Sequence, residues 1–428
     1  MRVFLAWLLS LLFVLNAFAR DGERDYPGWY RVDKPIEEVV QLQAPEQKAE
    51  IEPEANLPEN VTEEKAFRKL PMRSKDIKAK GIVERKHFAK NNKDLLLAEK
   101  LLKQVYEGSE RNFVISPLSF YSMSVLLANG VVDETLFEFS SMFPVLHLKE
   151  VNQALKGYLE YRRDSIGVSN SLWGRMFSEH YQNLMAEELG AEMWGLGDTT
   201  EPINNWAMVR TEGAVEDMTS VEKVASDDMF ASSVAYFKQK SAPFTVKALS
   251  KKQFFNLDGS ISKVDMLRGE SVADYYEGEG VQVLRLSYLS GDTITIYLPD
   301  TEIPFDDFVR GFNVNKLKPI YEQKEVKILM PKIDIKYALN NAQAIYENMG
   351  IHRIFKKNNF DFAKMVSFDE KVSFSKVLMK SLIIIGADSA TSDNKTDLST
   401  KVSFEADHPF VFMLNDGDFI GAYIFGEE

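Results

Sequence analysis

The sequence predicts a mixed α+β domain, and three observations predict it. Apolar residues recur at helical spacing early in the folded part, from Leu97 to about Asn129. Alternating, strand-like runs follow later, from Val281 towards the C-terminus. No internal repeat interleaves the two, so helices before strands argue against a doubly wound sheet. Of the 428 residues, 45% are hydrophobic and 27% charged. A chain of that size and composition can bury a large core without covalent staples.

The elements follow in order. Asp94 predicts a helix N-cap, Leu97, Leu101, Leu102 and Val105 the buried stripe, and Gly108 the stop. Phe113-Val114-Ile115 reads as a strand. Ser116-Pro117 then opens a second helix, with Ser as cap and Pro at the first helical position. That helix is apolar on most sides to about Asn129, which predicts burial all round. Val281 to Leu286 and Thr293 to Leu298 form a hairpin across Ser290-Gly291-Asp292. In its second arm Ile294, Ile296 and Leu298 supply one apolar face. Val326 to Ile335 is an extended run interrupted by Pro331. A short helix spans Ala342 to Met349, capped by Asn340 or Asn341 and stopped by Gly350. Leu382 to Ile385 reads as a short central strand, and Phe410–Leu414 and Ile420–Phe425 as two closing strands joined at Asp416-Gly417.

The first 88 residues differ. Arg2, an apolar run from Val3 to Val14 and Ala17-Phe18-Ala19 form a secretory signal pattern over residues 1–19. The run is too short for a membrane span of roughly 20 residues, so a secreted, extracellular protein with no membrane contact is expected. Residues 20–88 hold scattered prolines, an acidic stretch from Glu46 to Glu64 and a basic one from Arg73 to Lys93. That composition predicts a largely disordered extension. It contains the Asn60-Val61-Thr62 glycosylation sequon. The folded domain is expected over 89–428.

Enzyme chemistry finds little to stand on. There is no cysteine, so thiolate nucleophiles and disulfides are excluded. No phosphate-binding loop, HExxH or GxSxG occurs, and no two of the five histidines lie three or four residues apart, so no metal site and no cofactor are expected. A net charge of −13 argues against a nucleic-acid partner. Lys149, Lys156, Arg162 and Arg163 read as a solvated helix face rather than a polyanion patch.

A series of segments carries a family resemblance. Asn112-Phe113-Val114-Ile115-Ser116-Pro117-Leu118-Ser119, with Gly130 and Thr135 beyond it, is similar to the serpin N-x-x-x-S-P-x-S segment. Ile203-Asn204-Asn205-Trp206, then Thr211, Gly213 and Met218, and Tyr236-Phe237-Lys238 resemble two further serpin blocks. Leu298-Pro299, Met330-Pro331-Lys332, Tyr337, Leu339, Gly350-Ile351 and Phe355 fall in family order. Phe404-Glu405-Ala406-Asp407-His408-Pro409-Phe410 resembles F-x-A-D-H-P-F near the end of the chain. The resemblance covers about residues 88–428. It implies three β-sheets wrapped by helices, with an exposed reactive loop near the C-terminus and no catalytic residues. It also implies protease trapping, in which the cut loop inserts into the largest sheet.

That loop, about Gly386 to Ser403, looks unfit for insertion. Aligned from the preceding strand, the hinge reads Ala387, Asp388, Ser389, Ala390, Thr391 and Ser392 in place of the family's Glu, Gly-Thr and run of small residues. Ala390, Ser392 and Asn394 would point inward, and an unpaired buried amide costs roughly 1–3 kcal/mol. Asn394-Lys395-Thr396 is a second sequon. Counting back from His408-Pro409 puts the scissile bond at Leu398-Ser399, about five residues and roughly 16 Å short of the usual reach. Lys395 and Lys401 are alternative trypsin-like sites.

The sheet has changed as well. Met379 stands where the family has a histidine, and Ser233 where it has an asparagine. Ser116 and Ser119 are therefore expected to have lost their partners in the shutter-like region, leaving a static core. Gln239-Lys240-Ser241 replaces the family's Gly-x-Trp.

Three readings stay open. One is a secreted, monomeric, non-inhibitory family member with a binding, carrier or decoy role. Another is an inhibitor of extracellular serine or cysteine endopeptidases. In the third, the 20–88 segment is the active product.

Overall fold

The structure, a computed structural model, describes residues 93–426 apart from 108, 175–176, 221, 226–227, 318, 357–360, 367–371 and 388–400. Helix α1 (Lys93–Tyr106) starts two residues earlier than an Asp94 cap predicts, so Asp94 lies in its first turn; Gly108 is outside the described residues. Strand β1 (Phe113–Ile115) leads into α2 (Pro117–Asn129), which is buried along its whole length. Then come α3 (Asp133–Glu138), α4 (Leu148–Arg162), β2 (Ile166–Gly174), α5 (Glu179–Leu189), β3 (Glu192–Gly195), α6 (Glu201–Arg210) and β4 (Asp228–Phe237). Strands β5 (Thr245–Phe255), β6 (Ile261–Gly278), β7 (Val281–Ser287) and β8 (Thr293–Pro299) follow. After α7 (Phe305–Gly311) and α8 (Val314–Leu317) come β9 (Glu322–Pro331), β10 (Ile333–Leu339), α9 (Gln343–Asn348) and β11 (Ser373–Ile385). β12 (Val402–Glu405), β13 (Phe410–Leu414) and β14 (Phe419–Tyr423) end the described chain.

The described strands form two hydrogen-bonded sheets. One is five-stranded, in the order β10-β11-β4-β2-β3. The other is nine-stranded, in the order β1-β14-β13-β8-β7-β6-β9-β12, with β5 also on β6. The two smaller sheets expected from the sequence are continuous here because β6 is 18 residues long. Its first part pairs with β5, its last part with β7, and β9 runs along its other side.

Alternation explains the layers. On β4, Phe230 and Val234 pack with Trp173, Trp206, Leu378 and Leu382 beneath α6. Met229 and Ala231 face the helical core with Phe374, Val377 and Met379. Further along, Ala235, Phe237, Ile383 and Ile385 meet Phe404 and Phe412 of the other sheet. Covered on both faces, β11 is buried along most of its length despite Ser373, Ser375, Lys376, Lys380 and Ser381, and it is about three times as long as its Leu382–Ile385 segment suggested. The same cause alters the reading of β8. Thr295 and Tyr297 are as buried as Ile294 and Ile296, because the Tyr297 ring packs edge-on against Phe312 of the helical layer.

Several family-like residues hold backbone rather than build a site. The Asn112 carboxamide accepts the N–H groups of Ile424 and Phe425 at 2.6 and 2.9 Å and donates to the Phe425 carbonyl at 2.7 Å. Asn204 accepts from Met218 and Thr219 in the same manner. Asn341 accepts from the Gln343 N–H at the start of α9, and Gly350 ends that helix with φ at +88°. Asn112 secures the C-terminal strand to the strand at the start of the domain, so its loss should be felt globally. Asn112→Ala is expected to cost about 2–3 kcal/mol, as one buried and one half-buried N–H group lose their acceptor. Urea unfolding of wild type and variant measures it.

Candidate functional site

The centre of the five-stranded sheet is a parallel pair. β4 and β11 run side by side from Asp228 and Ser373 to Tyr236 and Leu382. The pairing resumes at Ser241 and Gly386, where the Gly386 N–H donates to the Lys240 carbonyl at 2.8 Å and the Ala242 N–H donates to the Gly386 carbonyl at 2.7 Å. This seam is therefore paired at both ends, with no pairing across it, among the described residues, between residues 237–240 and 383–385. The Gln239-Lys240-Ser241 segment forms its latch through backbone bonds that need no aromatic side chain.

The first turn of α2 straddles the seam from below. Ser116 caps the helix: its Oγ accepts the Ser119 N–H at 3.1 Å and donates to the Asp418 carbonyl at 2.8 Å. The Ser116 N–H donates to Ser381 Oγ of β11 at 3.1 Å. Ser119 Oγ lies 2.6 Å from Ser233 Oγ of β4, and Ser233 in turn donates to Asn170 Oδ1 of β2 at 2.6 Å. Because that bond uses the Ser233 proton, Ser119 is the donor to Ser233. The Asn170 amide then donates to Ser122 Oγ at 2.7 Å.

The expectation that Ser119 had lost its partner is corrected here. A serine at 233 still reaches it, and Asn170 completes the chain. Met379 sits beside Ser233 across the seam and packs in the apolar core, outside the network. Asn170, Ser122 and Ser381 were missed in the sequence, since a buried serine or asparagine inside a strand or helix carries no local signal.

A charged cluster adjoins this network. Arg162 bonds Asp418 at 3.0 Å and Asp292 at 3.2 Å, and the Tyr158 hydroxyl donates to Asp418 at 2.7 Å. Asn415 donates to Asp292 at 3.0 Å. Arg162 thus belongs to a buried ion cluster and not to a solvated helix face. Burial pushes the Asp418 carboxyl up to about 6, against the opposing pull of Arg162.

The loop is anchored at both described ends. Gly386 lies in the latch and Ala387 is exposed beyond it. At the far end, Val402 and Ser403 already belong to β12, paired in parallel with β9, so the loop is shorter than Gly386–Ser403. Lys401 bonds Glu270 at 2.6 Å, and Lys247 joins the same carboxylate at 2.9 Å. Hydrogen bonds from Lys401 and then Lys247 pull the Glu270 carboxyl down to about 2. With its side chain only 14% exposed and its ammonium engaged, Lys401 is not the open trypsin-like site expected. Asp388, Ser389, Ala390, Thr391, Ser392, Asn394, Lys395, Leu398, Ser399 and Asn60 lie outside the described residues. No cluster able to hold a metal occurs among the described residues, and none of their helices is long and apolar enough to cross a membrane.

A family model for serpins, serine protease inhibitors, matches residues 92–425. The chain is a serpin. Curated relatives agree with this: an uncharacterized serpin-like protein of Methanosarcina mazei is 24% identical over 352 residues, covering 74% of this chain and 80% of the relative. Serpin-Z10 of Arabidopsis thaliana is 24% identical over 364 residues, covering 76% and 93%. Among solved structures, the native state of tengpin, a thermophilic serpin, superimposes with a TM-score of 0.68 at 20% identity, covering 78% of this chain and 95% of tengpin. Native protease nexin-1, solved with heparin, gives 0.66 at 17% identity, covering 78% and 99%. Serpins are generally protease inhibitors rather than catalysts, and the family partner is a protease.

Two outcomes follow for this serpin. Ser233→Ala strands Ser119 and Asn170 in a dry core, and is expected to cost about 1–3 kcal/mol in chemical unfolding. Asp418→Asn removes a titration. The native carboxyl keeps its proton up to about pH 6, whereas the unfolded one releases it near 3.8. Its contribution is therefore complete at low pH and falls as pH rises through that window. The stability of wild type relative to Asp418→Asn is expected to decline by on the order of 2–3 kcal/mol from about pH 4 to pH 6. Urea titrations of both proteins across that range measure it.

Proposed function

We propose that this protein is a secreted, non-inhibitory serpin that acts as a binding, carrier or decoy protein. One comparison carries the reading. The seam that a cut loop would have to fill runs from Asp228 to Ser241 on one side and from Ser373 to Gly386 on the other, about 14 residues or roughly 46 Å of strand. A cut at Leu398-Ser399 leaves Ala390–Leu398 to insert, about nine residues or roughly 30 Å. A protease held on Leu398 would stop well short of the far end of the sheet. Asn394 points inward on that register and is a glycan acceptor by sequence, which works against insertion a second time. Secretion is supported by the residue 1–19 pattern.

The competing reading, covalent trapping of a serine or cysteine endopeptidase, keeps the family's general role and has the closed seam in its favour. Nicking between residues 388 and 400 separates the two. The cut protein is expected to melt within about 2 °C of the intact one. A rise of tens of degrees, or an SDS-resistant complex with a trypsin-, chymotrypsin- or elastase-like protease, would establish an inhibitor instead.

A further inference from the structure

β5 hydrogen-bonds to β6 on one side. Among the described residues its other side is covered only at the C-terminal end, where the Phe255 N–H donates to the Asp407 carbonyl at 2.8 Å. Strand alternation turns the N–H and C=O groups of Gln253, Lys251 and Leu249 to that same outer side. The register agrees: the Asp265 carbonyl, opposite Lys251, points away from β5 and accepts the Lys332 N–H at 2.9 Å. Among the described residues no backbone group pairs with Leu249, Lys251 or Gln253 on the outer side. An open edge of this kind is a template for another strand.

The side chains along it have a definite character. Leu249 is 54% exposed, and Phe255 and Ile261, directly opposite one another, are 46% and 56% exposed. All three lie on the solvent face with Lys251 and Lys263, while Lys252 and Arg268 lie on the other face of the same hairpin. Among the described residues none of these four cations forms an ion pair, although Asp265 sits opposite Lys251. In a chain of net charge −13 this edge is a basic exception.

We propose that the open edge of β5 is a docking strand for an acidic extended peptide, which adds to the sheet by backbone pairing. Its apolar side chains would lie against Leu249, Phe255 and Ile261, and its carboxylates beside Lys252 and Arg268. Lysines on an edge oppose pairing with a second copy of the same edge, so charge selects an acidic partner over self-association. The exposed apolar residues select a peptide over a sulfated polysaccharide, which would gain nothing from them. The surface is independent of whether the reactive loop can insert.

The test is fluorescence anisotropy of the full chain with a labelled peptide of alternating glutamate and leucine. Binding is expected, weakened about tenfold or more by Lys251→Glu with Lys252→Glu. It should be lost in Gln253→Pro, which removes an outward N–H without touching the β5–β6 ladder. Leu249→Asp, which leaves the backbone unchanged, should also weaken binding about tenfold at an unaltered melting temperature. No binding at about 1 mM peptide, binding that survives both Gln253→Pro and Leu249→Asp, or binding of heparin oligosaccharide alone would overturn the proposal.

Discussion

The fold depends on one parallel seam. β4 and β11 meet in the middle of the five-stranded sheet, with α6, its Trp206 and Trp173 of β2 over one face and the helical and inter-sheet cores over the other. Along the seam itself the strands are joined by backbone hydrogen bonds. What keeps them from separating is attached from outside: α2 holds Ser381 of β11 through the Ser116 N–H and Ser233 of β4 through Ser119. Any rearrangement that widens the sheet must first release one of these contacts, inside a region too dry to replace them with water.

The seam also sets the terms for strand exchange. A strand inserted between β4 and β11 would convert one row of ladder bonds into two, and that gain accrues only along the length actually filled. A segment shorter than the seam leaves the lower parts of β4 and β11 either still zipped to each other, which wedges the sheet, or held apart with bare N–H and C=O groups. Length and side-chain polarity therefore act together: the polar loop gains less per residue and has fewer residues with which to gain it.

Much of this was legible in the amino-acid order. Proline and glycine punctuation and strand alternation located the β7–β8 hairpin, the break at Pro331 and the turn at Asp416-Gly417, because those features are local. The family-like segments pointed to the fold because Asn112 and Asn204 each satisfy backbone groups that only one arrangement of the chain presents. The polar network was misread for the opposite reason. Whether serine at 233 still reaches Ser119 depends on a few ångströms of helix-to-sheet distance, and Asn170 enters from a strand distant in sequence. Arg162 and Lys401 looked like ordinary surface cations until Asp292, Asp418 and Glu270 were brought beside them by the turn and strand that carry them.

The strand order has a consequence for how the molecule is made. β13 and β14 follow every other described strand in sequence, yet they lie inside the nine-stranded sheet, with β8 on one flank and β1, the first strand, on the other. Asp418, which the Ser116 cap reaches, lies in the turn between them. A growing polypeptide cannot join β1 to β8 in this sheet before β13 and β14 have been made. The helical layer and the β5–β8 strands must wait, partly formed, with apolar surface uncovered, until the closing hairpin arrives. That waiting intermediate is the form that a chaperone would meet.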